Sequence, residues 1–359
     1  MTALSAPTLD PLAWPVAAST INARRVQRLP ARIAALRTLN HDTYELVLTT
    51  APGSPPLDAR AGQFATLEVP GISRARAYSF ARDPRRETAG EYTFYIRVVH
   101  GGEFSTWLAA QGRAGTDITI TGPLGAFTLD TSTAPMLLLA GGSGMSAVKA
   151  LAEEASRRQL ARDCLFLYGA RTRADLYAQQ ELAEVAACWP RGQRFEFVQV
   201  LSDEPGDSPW AGARGLVTDH LHEHFLGRGP WLAGQFKAWL CGPPPMVEAG
   251  VRVLRAHGVP SEDINLDVFA DARSPAPFIT NSLCTLCDEC LLVRPVAGCI
   301  VESGGFGAEQ HKNAANAVPI TPLLTAGLYY NTLLIDDSRC IRCYACVKAC
   351  PHGAISTPA

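Results

Sequence analysis

The chain has 359 residues, 47% hydrophobic and 18% charged, so it is long and apolar enough to bury the cores of two or three domains and is not a disordered chain. Its 32 basic and 34 acidic side chains give a formal net charge of -2, which excludes the basic footprint typical of nucleic-acid binding. We therefore expect a small molecule or a protein as the partner.

The eleven cysteines are unevenly spread, and the spread marks a separate module. Three of them, Cys164, Cys188 and Cys241, are alone in the first 283 residues, and the other eight lie in the last 76. No apolar run approaches the roughly 18 residues of a membrane span, and the N-terminus lacks a secretory pattern. We expect a reducing cytoplasm, where clustered cysteines bind metal more often than they form disulfides.

The first half of the chain predicts an irregular arm and then a β-barrel. Residues 1–28 are rich in Ala, Pro and Thr without a clear period. Over residues 29–131, short β-type runs recur between Gly and Pro turn signals. These runs are "ARIAALRTL", "TYELVLTT", "QFATLEV", "YTFYIRVV", "DITITG" and "AFTLD". Many short, evenly punctuated strands indicate an antiparallel β-barrel.

Over residues 132–272 the sequence pattern changes from short β-type runs to alternating strand-like and helix-like segments. The stretch "PMLLLAGGSGMSAVKALAEEASRRQ" is an apolar strand, a glycine turn and an amphipathic helix, and further strands and helices alternate after it. This alternation predicts an α/β domain with a doubly wound parallel sheet. The loop-like "RSPAPFITNS" follows as a linker. Residues 273–359 then form the cysteine-rich module.

The segment "RAYS" comprises Arg76, Ala77, Tyr78 and Ser79, and it resembles the R-x-Y-S signature of the ferredoxin-NADP reductase superfamily. The resemblance implies that Tyr78 lies along a flavin ring, that Ser79 hydrogen-bonds near the reactive flavin nitrogen, and that Arg76 pairs with a cofactor phosphate. These residue types suit those roles, because guanidinium presents a fixed fork to phosphate and an aromatic face packs on a flat ring.

Two further motifs extend this resemblance. Gly102 and Ser105 belong to a G-x-x-S-x-x-L pattern in which a helix N-terminus meets the flavin pyrophosphate. Gly122 and Gly125 belong to "GPLGAF", which is similar to the segment that closes the barrel in FAD-using members. The resemblance implies FAD as the bound flavin, with FMN as the alternative.

A glycine loop opens the nucleotide-binding half. Gly141, Gly142 and Gly144 lie between an apolar strand and a helix, where glycines let the backbone approach a pyrophosphate. The family usually has G-G-T-G-x-x-P at this point. Here Ser143 replaces the threonine and Ala147 replaces the proline, which keeps the donors but loosens the turn.

About 100 residues later, "CGPPPM" is similar to the family's C-G-P-x-x-M motif and supplies Cys241, Gly242 and Pro243. In the family this cysteine lies beside the nicotinamide carbon that gives up hydride, so Cys241 joins Ser79 and Tyr78 as a predicted catalytic residue. The alternative is a cysteine that is only a small buried hydrophobic residue.

The choice between NADH and NADPH rests on "YGARTRADLY". Arg171 and Arg173 could pair with a 2'-phosphate, but similar stretches are typical of NADH-linked members of the family. We expect NADH, with NADPH as the alternative, and Asp175 as a helix-capping residue. The resemblance also brings Asp267 and Phe269 of "INLDVFAD" near the flavin.

The tail contains two cysteine runs of bacterial ferredoxin type. The sequence "CIRCYACVKACP" has the C-x2-C-x2-C-x3-C-P spacing in which three thiolates bind one [4Fe-4S] cluster and the fourth binds a neighbouring cluster. The sequence "CTLCDEC" repeats the first three cysteines. We expect a small α+β ferredoxin domain with crossed ligation, in which the ligands are Cys284, Cys287, Cys290 and Cys350 for one cluster and Cys340, Cys343, Cys346 and Cys299 for the other.

This second assignment has an alternative. Cys299 lacks a following proline and lies about 40 residues before Cys340, farther than in a compact ferredoxin. A single cluster beside a zinc-like or degenerate site is therefore also compatible with the sequence.

These parts predict an electron-transfer reductase. Hydride carries two electrons and a cluster accepts one, so a flavin between them converts pairs into single electrons. The layout resembles the reductase components of multicomponent oxygenases, which implies a protein acceptor, most simply a terminal oxygenase. Two alternatives are an electron-input subunit for an oxygen-independent reductase, dehalogenase or hydrogenase, and a non-catalytic iron-sulfur relay subunit.

Overall fold

The computed structural model describes residues 26–72, 75–99, 101–226, 235–268, 276–280, 283–294, 298–302, 333–336, 339–340, 342 and 344–356. Of the predicted site residues, Phe269 and Cys343 lie outside this set, as does the predicted N-terminal arm up to residue 25.

Six antiparallel strands form the first domain. They are β1 (Gln27–Thr38), β2 (Thr43–Thr50), β3 (Phe64–Glu68), β4 (Arg76–Ser79), β5 (Glu91–Arg97) and β6 (Asp117–Leu124). Their order is β4-β3-β6-β1-β2-β5, and a bridge between Phe80 and Phe94 joins the two outer strands. The predicted antiparallel barrel is confirmed as a nearly closed one.

One predicted strand of this domain is wrong. The run "AFTLD" follows β6 but pairs with no strand, and its alternating Phe127 and Leu129 instead enter the core of the second domain. The alternation therefore reports burial of a connecting segment. Helix α1 (Glu103–Gln111) connects β5 to β6 and buries Phe104 and Leu108 against the barrel core.

The second domain is the predicted doubly wound sheet. Its parallel strands are β7 (Met136–Gly141), β8 (Cys164–Ala170), β9 (Phe195–Leu201), β10 (Ala213–Arg214), β11 (Lys237–Gly242) and β12 (Ile264–Val268). Their order is β10-β9-β8-β7-β11-β12. Alternate residues of β7 enter cores on opposite faces of the sheet, which explains why this strand is a continuous apolar run.

Helices cover both faces of this sheet. They are α2 (Met145–Arg157), α3 (Gln179–Ala187), α4 (Val217–His220), which continues as a π-helical turn at Leu221–Leu226, and α5 (Pro244–Ala256). Short 3₁₀ turns lie at Gly142–Gly144, Arg173–Asp175 and Ser261–Asp263. None of the helices in the described part of the chain is long and apolar enough to cross a membrane.

Helix α2 fixes the second domain against the barrel. Its residues from Met145 to Ser156 are all buried. Lys149 is fully buried and pairs with Glu153 at 2.5 Å, and the other oxygen of Glu153 accepts a 2.8 Å hydrogen bond from the backbone N–H of Asp83 in the barrel domain. Because this polar chain is satisfied across the boundary, the two domains have one preferred arrangement.

The cysteine-rich module is a small two-fold repeat. Its elements are β13 (Phe278–Ile279), α6 (Glu289–Leu292), β14 (Ile300–Glu302), β15 (Leu333–Ile335), α7 (Ala345–Ala349) and β16 (Ile355–Ser356). Strand β13 pairs with β16 and β14 with β15, both antiparallel. This is the α+β arrangement expected from the two cysteine runs.

Backbone conformation supports the internal duplication. Leu286 and Arg342 have φ of 57° and 56°, and Asp288 and Tyr344, which precede α6 and α7, have φ of 59° and 52°. Residues other than glycine seldom adopt a positive φ. Both members of each pair hold the same place in their cysteine run. The two loops are thus bent alike, in a conformation that turns successive N–H groups inward to form an anion-binding concavity.

Candidate functional site

The glycine loop and the predicted hydride-site cysteine meet where the strand order reverses. Strands β7 and β11 are parallel neighbours, with Ala140 opposite Cys241, so their carboxyl ends open on one crevice, which is where doubly wound sheets bind ligands. A Cβ placed on Gly141 would lie 2.3 Å from the sulfur of Met246. This position therefore tolerates only glycine without a shift of its neighbours.

A cleft of about 780 Å³ opens at this crevice. Its walls include Gly141, Gly142 and Pro243 from the two predicted motifs, and Arg171 from the predicted ribose-phosphate region. The hydroxyl of Tyr177 donates a 2.9 Å hydrogen bond to the Gly142 carbonyl and closes one end of the loop. The cleft has a glycine-lined floor, which lets the pyrophosphate of a dinucleotide approach the backbone.

The barrel contributes an ion pair to the rim of this cleft. Arg97 of β5 donates a 2.6 Å hydrogen bond to Asp42, and both residues line the cleft. Although partial burial acts in the opposite direction, hydrogen bonds from Thr43 and Arg97 hold the pKa of Asp42 below its ordinary value. The cleft therefore lies between the two domains, with an ion pair on the barrel side.

Ser79 and Cys241 meet on one carboxylate. Ser79, at the end of β4, donates a 3.4 Å hydrogen bond to Oδ2 of Asp267. The thiol of Cys241 lies 3.8 Å from the same oxygen. Three residues predicted from separate motifs, one in the barrel and two in the nucleotide domain, therefore converge at the domain junction.

This junction raises the pKa of two of its acidic groups. Burial and the neighbouring Asp267 carboxylate raise the pKa of the Cys241 thiol well above its ordinary value. Burial also raises the pKa of Asp267, against the opposing effect of Lys348 and of the hydrogen bonds from Ser79 and Cys241. Cys241 is thus a neutral thiol at neutral pH, which suits a residue that packs beside a hydride-donating ring rather than a nucleophile.

The predicted flavin residues lie on neighbouring elements of the barrel. Arg76 and Tyr78 are on β4, and the guanidinium of Arg76 lies 3.7 Å from the carboxylate of Glu103 at the start of α1. The ring of Tyr78 packs on Phe104 with centroids 5.4 Å apart. Ala77 lies between them on the exposed side of β4. The guanidinium and the aromatic ring that the resemblance assigns to FAD are therefore neighbours on one strand.

The turn before α1 is built from the second flavin motif. Ser105 donates a 3.2 Å hydrogen bond to the Gly102 carbonyl and accepts one of 3.3 Å from the Val99 N–H. A Cβ on Gly102 would lie 2.6 Å from the Ser105 hydroxyl. This tight turn leaves the α1 N-terminus open to solvent along a groove that Gly101, Gly102 and Glu103 line, where a pyrophosphate can accept backbone N–H groups.

The two glycines of the third motif have structural reasons for their identity. A Cβ on Gly122 would lie 3.1 Å from the Cβ of Ala65, where β6 pairs with β3. Gly125 has φ of +87° and lies against the ring of Phe64. Both positions close the barrel beside β3 and β4.

The two predicted arginines are paired with acids. Nε of Arg171 lies 3.9 Å from Asp203, and Nε of Arg173 lies 3.9 Å from Glu204. Sequence reasoning missed these two acids, and their signal was an acidic pair soon after the apolar run "RFEFVQVL". Asp175 caps the short turn after Thr172, accepting 2.8 Å hydrogen bonds from its N–H and hydroxyl, which confirms the predicted capping role.

The first cysteine set converges with Cys350. A small pocket is lined by Cys284, Cys287, Cys290 and Cys350 together with Ile279, Leu333 and Ile355. Burial, together with the neighbouring Cys284, Cys287 and Cys350 thiols, raises the pKa of the Cys290 thiol to about 11. Four cysteines that line one apolar pocket are the ligand set that a [4Fe-4S] cluster takes, and bound iron would favour the thiolate form of Cys290.

The β14–β15 pair brings Cys299 close to Cys340 of the second set. The carbonyl of Cys299 accepts a 2.9 Å hydrogen bond from the Asp336 N–H, and the Asp336 carbonyl accepts one of 2.9 Å from Cys340. Cys299, Cys340 and Cys346 are all buried. The long insertion therefore does not separate Cys299 from the last cysteine run.

One contact to the junction comes from the cysteine-rich module itself. Nζ of Lys348 on α7 donates a 3.1 Å hydrogen bond to the Leu266 carbonyl and lies 4.0 Å from Oδ1 of Asp267. No sequence motif indicated this residue, because the contact depends on how the module packs on the nucleotide domain.

Comparisons with known proteins agree with these three parts. Residues 30–129 match the family described as "Oxidoreductase FAD-binding domain", residues 138–252 the "Oxidoreductase NAD-binding domain", and residues 333–356 the "4Fe-4S binding domain". FAD-binding, NAD-binding and 4Fe-4S-binding domains are therefore confirmed, and the number of clusters stays a prediction.

Curated relatives share the first two domains. The xylene/toluene monooxygenase electron transfer component of Pseudomonas putida is 36% identical over 239 residues, 67% of this chain and 65% of its own length. The reductase subunit of an aromatic O-demethylase from Amycolatopsis is 36% identical over 272 residues, 73% of this chain and 76% of its own. The phenol 2-monooxygenase reductase component of Pseudomonas is matched over 60% of its length.

Solved structures have the same fold. The Amycolatopsis cytochrome P450 reductase aligns with a TM-score of 0.60 and 34% identity over 68% of this chain and 71% of that one. The ferredoxin reductase in carbazole 1,9a-dioxygenase aligns with a TM-score of 0.58 and 31% identity, over 68% and 70%. The chain belongs to the ferredoxin-NADP reductase family, and it joins that family's FAD-binding and NAD-binding domains to a 4Fe-4S-binding domain.

Proposed function

We propose that this chain is an NADH-dependent reductase component that passes electrons through FAD and two [4Fe-4S] clusters to a partner protein, the terminal component of a multicomponent oxygenase. The observation that carries the proposal is the convergence of Ser79, Cys241 and Asp267 at the junction of the flavin and nucleotide domains, with Lys348 of the cluster module on the same carboxylate. Donor, flavin and cluster regions therefore meet at one place.

The chain's own residues have separable parts in this function. Arg76 and Tyr78 would hold the phosphate and ring of FAD, with Gly102 and Ser105 at its pyrophosphate. Gly141, Gly142 and Gly144 would hold the pyrophosphate of the dinucleotide, and Cys241 would pack beside the nicotinamide. When bound, FAD accepts an electron pair and releases electrons one at a time.

The acidic partners of Arg171 and Arg173 support NADH as the donor. Asp203 and Glu204 offset the positive charge that a 2'-phosphate would need, and they add repulsion against that dianionic group. NADH lacks the phosphate and meets no such penalty. We infer a preference for NADH over NADPH.

The two-cluster assignment rests on the crossed geometry. Cys350 lies in the pocket of the first cysteine set, although it belongs to the second run in sequence. Cys299, from the first half, lies beside Cys340 across the β14–β15 pair. We propose one [4Fe-4S] cluster on each set, in a reducing, cytoplasmic environment that keeps the thiols available to iron.

The partner proposal draws on the relatives, whose names describe reductase or electron transfer components of monooxygenases and dioxygenases. Because the chain spans less than two thirds of the first two of them, the acceptor is a proposal for this protein. Cluster survival in air would favour an oxygenase partner, and rapid bleaching would favour an oxygen-independent one.

An anaerobic titration of the purified chain with NADH tests the scheme. Optical spectra and EPR should show FAD and clusters reduced in sequence, with about one FAD and about eight irons per chain. An iron content of about four per chain would mean that only one cluster is present. A colourless protein without flavin or acid-labile sulfide would overturn the proposal, and failure of NADH to reduce cytochrome c through the chain alone would leave only the non-catalytic relay.

A further inference from the structure

The carboxylate of Asp267 has two sides that face different domains. Its Oδ2 accepts from Ser79 and lies 3.8 Å from the Cys241 thiol. Its Oδ1 lies 4.0 Å from Nζ of Lys348. The side chain is 14% exposed, so a group at the centre of the hydride site is also the contact point of the cluster module.

Lys348 reaches this site by two bonds at once. Besides the ion pair, its ammonium group donates a 3.1 Å hydrogen bond to the carbonyl of Leu266, the residue before Asp267 on β12. The side chain is 45% exposed and lies on α7. Because one ammonium group contacts two neighbouring residues, these contacts restrict both the distance and the orientation of α7 relative to the end of β12.

Lys348 lies between two predicted cluster ligands in the sequence. Cys346 precedes it by two residues and Cys350 follows it by two, and in the crossed assignment these cysteines bind different clusters. Fixing Lys348 therefore places ligands of both clusters within about one helical turn of the anchored residue. The helix that carries these ligands is the element that docks on the flavin and nicotinamide junction.

We propose that Lys348 is a positioning residue whose contacts with Asp267 and Leu266 hold the cluster module at the flavin site for electron transfer. The inference rests on the proposed function. With the cofactors bound, NADH would supply two electrons and one proton as hydride, the flavin would pass the two electrons singly to the clusters, and the one remaining proton would pass to solvent.

The nature of the contact also makes it reversible. A partly exposed ion pair weakens with salt, unlike the buried polar chain that joins α2 to the barrel. The described contacts of Lys348 are therefore suited to a module that docks to receive electrons and separates to present its clusters to a partner protein.

Stopped-flow measurements on the FAD- and iron-loaded chain test this proposal. Lys348→Glu and Lys348→Gln should slow flavin reduction by NADH much less than they slow cluster reduction, because Lys348 contacts the hydride site only through Asp267. The rate of the subsequent cluster reduction should fall on the order of tenfold or more in Lys348→Glu and less in Lys348→Gln, since small displacements of a reacting group are costly. Lys348→Arg should restore most of the rate.

A matched control is available in the same module. Arg339→Gln also removes an exposed cation, but Arg339 pairs with Asp336 at 3.5 Å within the module, so it should transfer electrons at the wild-type rate. Iron and flavin content of every variant is measured alongside. Wild-type transfer in Lys348→Glu with full iron content overturns the proposal.

A second measurement needs no variant. Cluster reduction in the wild-type chain should slow as salt rises from about 50 mM to about 500 mM, where charge pairs are screened, while flavin reduction by saturating NADH stays nearly constant. A salt-independent transfer rate overturns the inference even if the variants lose iron. If the wild-type flavin is not reduced by NADH or no cluster is present, the proposed function itself fails, so the two failures are distinguishable.

Discussion

Gly144 and Cys241 are packed so closely that a Cβ built on Gly144 would lie 2.1 Å from the carbonyl oxygen of Cys241. The two residues are about 100 positions apart in sequence. The nucleotide loop and the predicted hydride-site cysteine therefore support each other, and a change in one must move the other.

Gly144→Ala should disturb both functions of this contact. The added methyl group has to displace the backbone of Cys241, which we expect to cost about 1–3 kcal/mol of stability and to slow flavin reduction by NADH. Thermal unfolding and stopped-flow kinetics check both effects. Gly206→Ala is the control, since a Cβ there meets nothing within 4 Å. Equal behaviour of the two variants would contradict the packing argument.

Cys241→Ala tests the hydride site separately. Removal of the thiol should slow flavin reduction by NADH about tenfold or more, because the thiol lies where the nicotinamide is expected to pack. Dithionite reduction of the clusters should be unchanged, since it bypasses that site. Slowing of both reactions to the same extent would reject the role of Cys241.

Asp203→Ser combined with Glu204→Gln should relax the donor preference. Freed from their acidic partners, Arg171 and Arg173 can pair with a 2'-phosphate, so kcat/KM for NADPH should rise about tenfold with little change for NADH. Steady-state kinetics with both nucleotides measure the shift. Asp207→Asn removes an exposed acid of the same loop and should change neither value. An unchanged NADPH value in the double variant would exclude these acids from specificity.

Cys350→Ser tests the crossed ligation. If Cys350 binds the cluster of the first set, the EPR spectrum of this variant should match that of Cys284→Ser and differ from that of Cys340→Ser, with about half the iron lost in each. Cys188→Ser, at an exposed cysteine outside the module, should keep all the iron. A match between Cys350→Ser and Cys340→Ser would show that ligation is not crossed.

Glu87 predicts a pH dependence of stability. Burial raises its pKa to about 7, against hydrogen bonds from Thr93. Between the ordinary pKa of a glutamate and about 7, the folded chain binds a proton that the unfolded chain has lost, so stability falls as pH rises, by at most about 1.4 kcal/mol per unit. Glu87→Gln should reduce this fall, measured by denaturant unfolding of the FAD-binding domain at pH 5 and pH 8. An identical pH slope in the variant would contradict it.

The parts that the sequence predicted share a physical reason. Gly141, Gly144 and Cys241 were each recognised at the end of an apolar run that predicts a strand, and they meet because the carboxyl ends of adjacent parallel strands open on one crevice. The two cysteine runs were recognisable because cluster ligands need short, fixed spacings.

The parts that it did not predict depend on packing between distant segments. Lys348 occupies a variable position of the last cysteine run, so the motif assigns it no role. Its contact with Asp267 follows only from where α7 packs on β12. Asp203 and Glu204 could be connected with nucleotide preference only once the structure showed them beside Arg171 and Arg173. The run "AFTLD" shows the reverse error, since alternation records burial and does not by itself supply a hydrogen-bonded neighbour.

The composition of the smallest core has a consequence for how the protein matures. Three of the six buried residues of that core in the described chain, Cys290, Cys299 and Cys346, carry thiol side chains, so we expect iron-sulfur clusters to complete its interior. The two larger domains have apolar cores of their own. In iron-starved cells we therefore expect a yellow protein that still oxidises NADH, with its last segment awaiting cofactor insertion before it can fold.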